Sequence, residues 1–255
     1  MIPRWRLLDS GAGAGDWNMA LDRALLDQLA PSRSRDPAPV LRFYSWDPPT
    51  LSFGRMQRVP ENLLRRCAGL GVGAVRRPTG GKAILHHREL TFSIIAPIAG
   101  LGGVLESYRI FAQAIAAGLR RLGVEATLCQ PRQAAGGSAL LCFAAPALCD
   151  LEVRGRKLLG SAQARRGGAL LQQNSLPLVL SHELKEALLG AAAVEQEARI
   201  ATDLGSALGR EPSFDEVREA IIAGFESELG VRFAPSALAL EEFGAAEALR
   251  PVFAL

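Results

Sequence analysis

Long apolar runs are missing from this 255-residue chain: none approaches the roughly 18 to 20 residues that a bilayer-spanning helix needs. The opening MIPRWRLLDSG also lacks the unbroken apolar stretch of a signal peptide, so a cytoplasmic protein away from the membrane is expected. Cysteine is scarce. Cys67, Cys129, Cys142 and Cys149 form no CxxC or metal-type grouping, which argues against a structural metal. In a reducing compartment each stays a thiol, either core filler or a nucleophile. No basic stripe is present: a net charge of +3 is far from that of a nucleic-acid binder and fits an acidic partner or an anionic cofactor better. The chain has no internal repeat, and its single biased patch is the alanine-rich Gly190 to Val194.

What is present is an ordinary globular pattern. DWNMALDRALLDQL places Trp17, Ala20, Leu21, Ala24, Leu25 and Leu29 on one face at helical spacing, with Asp16 positioned to cap the start. The polar, proline-rich APSRSRDPAP reads as a surface connector. VLRFYSW and TLSFG alternate as strands, parted by the turn-forming Asp47-Pro48-Pro49. PENLLRRCAGLG reads as a helix that makes Cys67 structural, and VGAVR as a strand. ELTFSIIAP is a further strand, ESYRIFAQAIAAGLRRLG a helix stopped at Gly123, and VEATLC a short strand. DLEV and RKLLGSAQ flank Arg154-Gly155 as a hairpin, and GALLQQNSLPL adds one more strand. After Ser181 the character turns helical. In PSFDEVREAIIAGFESELG, Ser213 and Glu216 form a capping box and Gly230 marks the stop. The order predicts an α+β domain over residues 1–255 with a mixed, largely antiparallel sheet flanked by helices, residues 181–255 being its mainly helical C-terminal part.

Two clusters could carry chemistry. In RRPTGGKAILHHRELTFS, residues 76–93, the Thr79-Gly80-Gly81 turn lacks Cβ atoms at its glycines and could lay main-chain N–H groups against a carbonyl or phosphate. Arg76, Arg77 and Lys82 would add positive charge. A plain β-turn with solvated basic flanks is the competing reading. A Walker P-loop is excluded, because Arg76 stands where its first glycine belongs and Ala83 where Ser or Thr would hold Mg²⁺. His86 and His87 point to opposite sides of a strand, so at most one faces a given pocket and the other is exposed. The second cluster is Cys142 in LLCFAAP with Lys157 in RGRKLLGSAQ. A nearby ammonium stabilises a thiolate or polarises an acyl carbonyl, but core packing for the cysteine and solvation for the lysine are the plainer alternatives. Cys149, beside Asp150, is electrostatically the poorer nucleophile.

Taken in order, NMALDRAL, RFYSWDPPTLSFGRMQ, RRPTGGKAILHHRELTFS, GRKLLGSAQARRGGALLQQNS and PSFDEVREAIIAGFESELG resemble recurring blocks of the lipoate-protein ligase and octanoyltransferase superfamily, which also includes biotin-protein ligases. The resemblance implies a class II aminoacyl-tRNA synthetase/biotin synthetase-like fold. Cys142 preceding Lys157 resembles the branch that takes octanoyl groups from acyl carrier protein. It implies Cys142 as nucleophile and Lys157 as its partner, with Arg76, Arg77, Thr79, Gly80, Gly81, Lys82, His86, Gly160, Ser161 and Ala162 at the substrate pocket and Ile84 in its apolar wall. It further implies no cofactor of its own, the phosphopantetheine arriving on the substrate. The implied partners are octanoyl-acyl carrier protein and the lipoyl domains of 2-oxoacid dehydrogenases or the glycine cleavage H protein, and the implied state is a monomer. The chain departs from the superfamily at His87, where aspartate is usual, at Lys82, and at Gln172-Gln173-Asn174-Ser175, where a Gln-His-Gly-Ser turn is usual. An ATP-dependent lipoate ligase and an amidotransferase between lipoyl domains are the rival activities, and a non-catalytic acyl binder is the rival class.

Overall fold

A computed structural model describes residues 2–29, 38–129 and 150–255. Strand β1 (Arg4–Gly13) leads into α1 (Gly15–Leu29), followed by β2 (Val40–Trp46) and β3 (Thr50–Phe53). Next come α2 (Glu61–Gly69), β4 (Gly73–Arg76), β5 (Ile84–His86), β6 (Glu89–Pro97), α3 (Val104–Arg121) and β7 (Thr127–Leu128). A meander of β8 (Leu151–Val153), β9 (Arg156–Arg166) and β10 (Ala169–Pro177) precedes α4 (His182–Leu189), α5 (Ala191–Ile200), α6 (Leu204–Leu208), α7 (Phe214–Leu229), β11 (Arg232–Pro235) and α8 (Leu240–Phe253).

Eight strands form the main sheet in the order β11-β1-β2-β6-β10-β9-β8-β7. β1 runs parallel to both β11 and β2, and the remaining pairs are antiparallel. The expected α+β, largely antiparallel architecture is the one found. Its two faces are both covered. Leu41, Phe43, Leu90, Phe92, Ile94 and Leu170 pack under α3 and α7, while Val40, Tyr44, Ile95, Ala169 and Leu171 pack under α1 and α8. Double coverage explains why β2, read as an alternating strand, has its first five residues buried.

A separate three-stranded sheet, β4-β3-β5, had no counterpart in the sequence reading. Leu51, Phe53 and Leu85 join Leu63 and Cys67 of α2 and Leu188 of α4 in its core, so Cys67 is structural as expected. Asp16 lies inside the first turn of α1 rather than ahead of it. There its charge favours the helix N-terminus and pairs with Arg250 at 2.9 Å. Ser213 does cap α7, accepting the Glu216 N–H at 3.1 Å, while the Glu216 carboxylate turns to Arg210. The hairpin at Arg154-Gly155 is tight, with φ of 50° and 74°, which is the twist-matched geometry that lets β8 return directly into β9. Among the described residues no helix is long and apolar enough to cross a membrane.

Candidate active site

Register decides which side chains share a row across β2, β6, β10 and β9. Tyr44, Thr91, Ser175 and Gly160 lie opposite one another, and two residues along so do Arg42, Ser93, Gln173 and Ala162. Strand β6 alternates Glu89, Thr91 and Ser93 with Leu90, Phe92 and Ile94, so its polar edge falls on the α1 side. That edge is buried within the protein. A narrow cavity opens there, lined by Met19, Tyr44, Trp46, Arg77, Ile84, His86, Thr91, Gly160 to Ala162 and Gln173 to Ser175.

Beneath the floor a buried charge is fully enclosed. Arg42 pairs with Asp22 at 2.7 Å, both side chains being 0% exposed, and donates to the Asn18 carbonyl and side-chain oxygens at 3.0 and 2.8 Å. Ser93 and Gln173 donate to Asp22 Oδ2 at 2.6 and 2.7 Å, and Tyr44 at 3.1 Å. Burial, then the charge of Asp22, pushes the Tyr44 hydroxyl well above its ordinary value and keeps it a donor. The side-chain oxygen of Gln173 accepts from Thr79 at 2.7 Å, which ties the glycine turn to the floor.

His86 stands in the wall with both nitrogens engaged. Nδ1 lies 2.7 Å from Glu89 Oε1 and Nε2 lies 2.7 Å from the Ser52 hydroxyl, while the ring stacks on Trp46. A carboxylate only accepts, so Nδ1 carries a hydrogen. Glu89 also accepts from Ser175 at 2.7 Å and from Thr91, which takes the Trp46 indole N–H at 2.7 Å. Burial drives the Glu89 carboxyl up, but the charge of His86 and the hydrogen bonds from His86, Thr91 and Ser175 outweigh it, so it sits below the ordinary carboxylate value. His86 therefore meets the cavity through its ring rather than through a nitrogen.

The expected Arg76 to Lys82 cluster is mostly a brace. Arg76 Nη1 donates to the carbonyls of Gly54, Arg55 and Gln57 at 2.8–3.1 Å, and Arg77 donates to Ser52, Gly80 and Lys82 carbonyls while lining the cavity. A Cβ on Gly54 would sit 1.9 Å from the Gly81 carbonyl oxygen, so the two loops touch only because Gly54 has none. Gly80 and Gly81 are exposed, and Gly81 holds a φ of 90°. His87, expected to be exposed, is partly buried: it is 2.8 Å from Ser181 and lines a second cavity behind β5. Burial, with Arg88 nearby, lowers its pKa.

Lys157 corrects the reading most. It was expected on a solvated hairpin surface, yet it is 2% exposed, and its Nζ lies 2.7 Å from Asp150 Oδ2. Helix α5 packs against β9, and Lys157 O accepts the Thr202 N–H at 2.8 Å, so the chain after α5 closes over the position. The other Asp150 oxygen accepts the N–H of cavity-lining Ser161 at 3.1 Å. One carboxylate thus joins the ammonium to the cavity wall. Cys129 is close enough to feel Asp150, Glu152 and Lys157, but burial and those two carboxylates push its thiol up to about 12. Burial likewise raises Cys67, so neither suits a nucleophile. Cys142 and Cys149 lie outside the described residues.

Of the residues anticipated from sequence, Arg77, His86, Gly160, Ser161 and Ala162 come together at the cavity, and Thr79 is one hydrogen bond away. Met19, Tyr44, Trp46, Thr91 and Gln173 to Ser175 were missed as lining residues. Gln172 to Ser175 form no turn; they sit inside β10. The available signal was polarity persisting in the middle of strands whose other face is uniformly apolar.

Residues 15–226 match the family described as Lipoyl protein ligase A/B catalytic domain. The chain is 40% identical over 249 residues to Octanoyltransferase LipM of Carboxydothermus hydrogenoformans, covering 93% of this chain and 91% of the relative. It is 35% identical over 255 residues to Octanoyltransferase LipM of Bacillus subtilis, covering 93% and 91%. In fold it is similar to lipoate-protein ligase A bound with ATP, at a TM-score of 0.78, 24% identity and coverage of 98% and 95%. It is equally similar to the bi-partite lipoate protein ligase of Thermoplasma acidophilum, at 0.78, 23%, and coverage of 98% and 92%. The chain is therefore an enzyme of the lipoyl protein ligase A/B catalytic-domain family, with octanoyltransferases among its relatives.

Proposed function

We propose that the chain transfers an octanoyl group from octanoyl-acyl carrier protein to the lysine of a lipoyl domain, through a thioester on Cys142 and without ATP. The observation that carries this reading is the pairing of a mainly apolar cavity with a buried ammonium beside its wall at Ser161. Identity of 35–40% to named octanoyltransferases over most of the chain supports the same activity.

The eight-carbon tail occupies the cavity between Trp46, Ile84 and Met19, where each buried methylene contributes about 0.8 kcal/mol. The acyl carbonyl lies toward Ser161, on the side where Lys157 is held. In the first step the Cys142 thiolate displaces phosphopantetheine thiol, one thioester replacing another at little change in free energy. In the second the acceptor amine attacks, the C–S bond breaks and an amide forms. Lys157 donates to the oxyanion that develops in both steps. The octanoyl-loaded carrier supplies the activated acyl group, so no adenylate is required.

Incubation of the purified chain with octanoyl-acyl carrier protein in the absence of ATP, followed by intact-mass measurement, tests this directly. An octanoyl adduct is expected on the wild type and none on Cys142→Ala. A chain that forms no adduct and modifies lipoyl domains only with ATP and free lipoate is a ligase instead, and one loaded only from an octanoylated lipoyl domain is an amidotransferase.

A further inference from the structure

Asp150 is buried beside Lys157, and nothing in the sequence pattern gave it a task beyond making Cys149 a poor thiolate. Its two oxygens are used differently. Oδ2 takes the Lys157 ammonium at 2.7 Å and Oδ1 takes the Ser161 N–H at 3.1 Å. Ser161 belongs to β9, the strand that also carries Lys157, and it lines the cavity. The carboxylate is further anchored through its own backbone, since the Asp150 carbonyl accepts the Cys129 N–H at 2.9 Å. Both side chains are 1% exposed, so neither partner exchanges its companion for water. Glu152 stands across the ladder from Lys157, and Cys129 is held as a thiol beside both carboxylates.

We propose that Asp150 is the positioning residue for Lys157: it clamps the ammonium at the cavity wall as a hydrogen-bond donor to the acyl oxygen and keeps it from acting as a base. The proposal rests on the octanoyl-transfer reading above. In the transfer step the acceptor nitrogen forms the C–N bond, the thioester C–S bond breaks, and one amine proton ends on the departing thiolate. Lys157 begins and ends protonated, its charge offsetting the oxyanion in between. A long, flexible side chain gains catalytic value only when its head is fixed, and a carboxylate oriented by a backbone N–H of the same strand does that fixing.

A rate cycle over wild type, Asp150→Asn, Lys157→Ala and the double variant tests the assignment, read as octanoyl transfer to a lipoyl domain with kcat and KM separated. Asp150→Asn is expected to lower kcat roughly a hundredfold at unchanged donor KM. In the Lys157→Ala background the same change is expected to cause no further loss, because Asp150 acts through the lysine alone. Losses that multiply, or an Asp150→Asn chain at wild-type kcat, overturn it. Where Asp150→Asn fails to fold around an unpaired buried charge, Asp150→Glu decides. It keeps the charge, shifts the clamp by one methylene, and is expected to lower kcat about tenfold or more with thermal stability kept. A Glu variant at wild-type kcat overturns the proposal. A wild-type chain without an octanoyl adduct ends both readings, whereas a wild-type chain that transfers while the losses multiply ends only this one.

Discussion

The Trp46 and His86 ring centroids lie 4.0 Å apart with an angle of 11° between their planes, so the two rings stack face to face in the cavity wall. The stack is held by hydrogen bonds: Trp46 to Thr91, Thr91 and His86 to Glu89, and His86 to Ser52. The ring nitrogens are occupied by Thr91, Glu89 and Ser52.

Trp46→Phe keeps a flat ring but removes the N–H that serves Thr91. It is expected to lower stability by about 1 kcal/mol with little change in acyl preference. Trp46→Ala opens the wall, is expected to lower stability by about 3–5 kcal/mol, and admits acyl chains longer than octanoyl. Urea denaturation and a chain-length series of acyl donors check the two effects separately.

Glu89 makes stability depend on pH in a defined direction. Its folded pKa is depressed, so the unfolded chain binds the proton more readily. The stabilisation is complete above the ordinary carboxylate value and is lost as pH falls through the depressed one. Urea midpoints measured between about pH 7 and about pH 3 should therefore fall less steeply for Glu89→Gln than for wild type. Parallel curves would show that Glu89 is not among the groups that set the acid limb.

Arg42→Met leaves Asp22 as an uncompensated buried charge, and a loss of about 3–5 kcal/mol is expected in chemical denaturation. Adding Asp22→Asn removes the charge while keeping an acceptor for Ser93 and Tyr44. The double variant is expected to recover part of the loss, and one no better than Arg42→Met alone would show that shape, rather than charge, is what the site lacks.

Gly54→Ala drives a methyl into the Gly81 carbonyl, a backbone contact that no rotamer relieves. Stability is expected to fall by about 2 kcal/mol or more, and the cavity should lose the Thr79 to Gln173 tie. The transfer rate of Gly54→Ala, compared with that of Gly80→Ala, whose Cβ meets nothing within 4 Å, separates loop contact from general turn flexibility.

Most elements were legible because local pattern and burial agree in them. The α7 repeat between Ser213 and Gly230 and the hairpin at Arg154-Gly155 are examples. The three-stranded sheet was not legible, since nothing in TLSF or GAVR says which sheet a short apolar strand joins. Site residues fared unevenly for one reason. In β6 and β10 the alternation suggests an apolar face and a wet face, but α1 covers the second face, so Thr91, Gln173 and Ser175 line a cavity instead of meeting solvent. Lys157 misled in the same way. A basic residue two positions after a hairpin turn suggests the surface, and only the pairing with Asp150 and the chain after α5 shows it to be interior.

The inward orientation of hydrogen bonds along the cavity has an outcome for selectivity. Among the described residues, the buried side-chain atoms left without a hydrogen-bond partner are on Asp27 and Arg165, and neither lines the cavity. Several polar side chains of the lining, Thr91, Gln173 and Ser175 among them, are engaged with other protein groups. On the octanoyl-transfer reading proposed above, an acyl chain in this cavity is selected by its outline, each buried carbon contributing about 0.8 kcal/mol until the space is filled. On the same reading, a hydroxyl or keto group along the chain has to give up its water to enter, a cost that a plain alkyl chain does not carry.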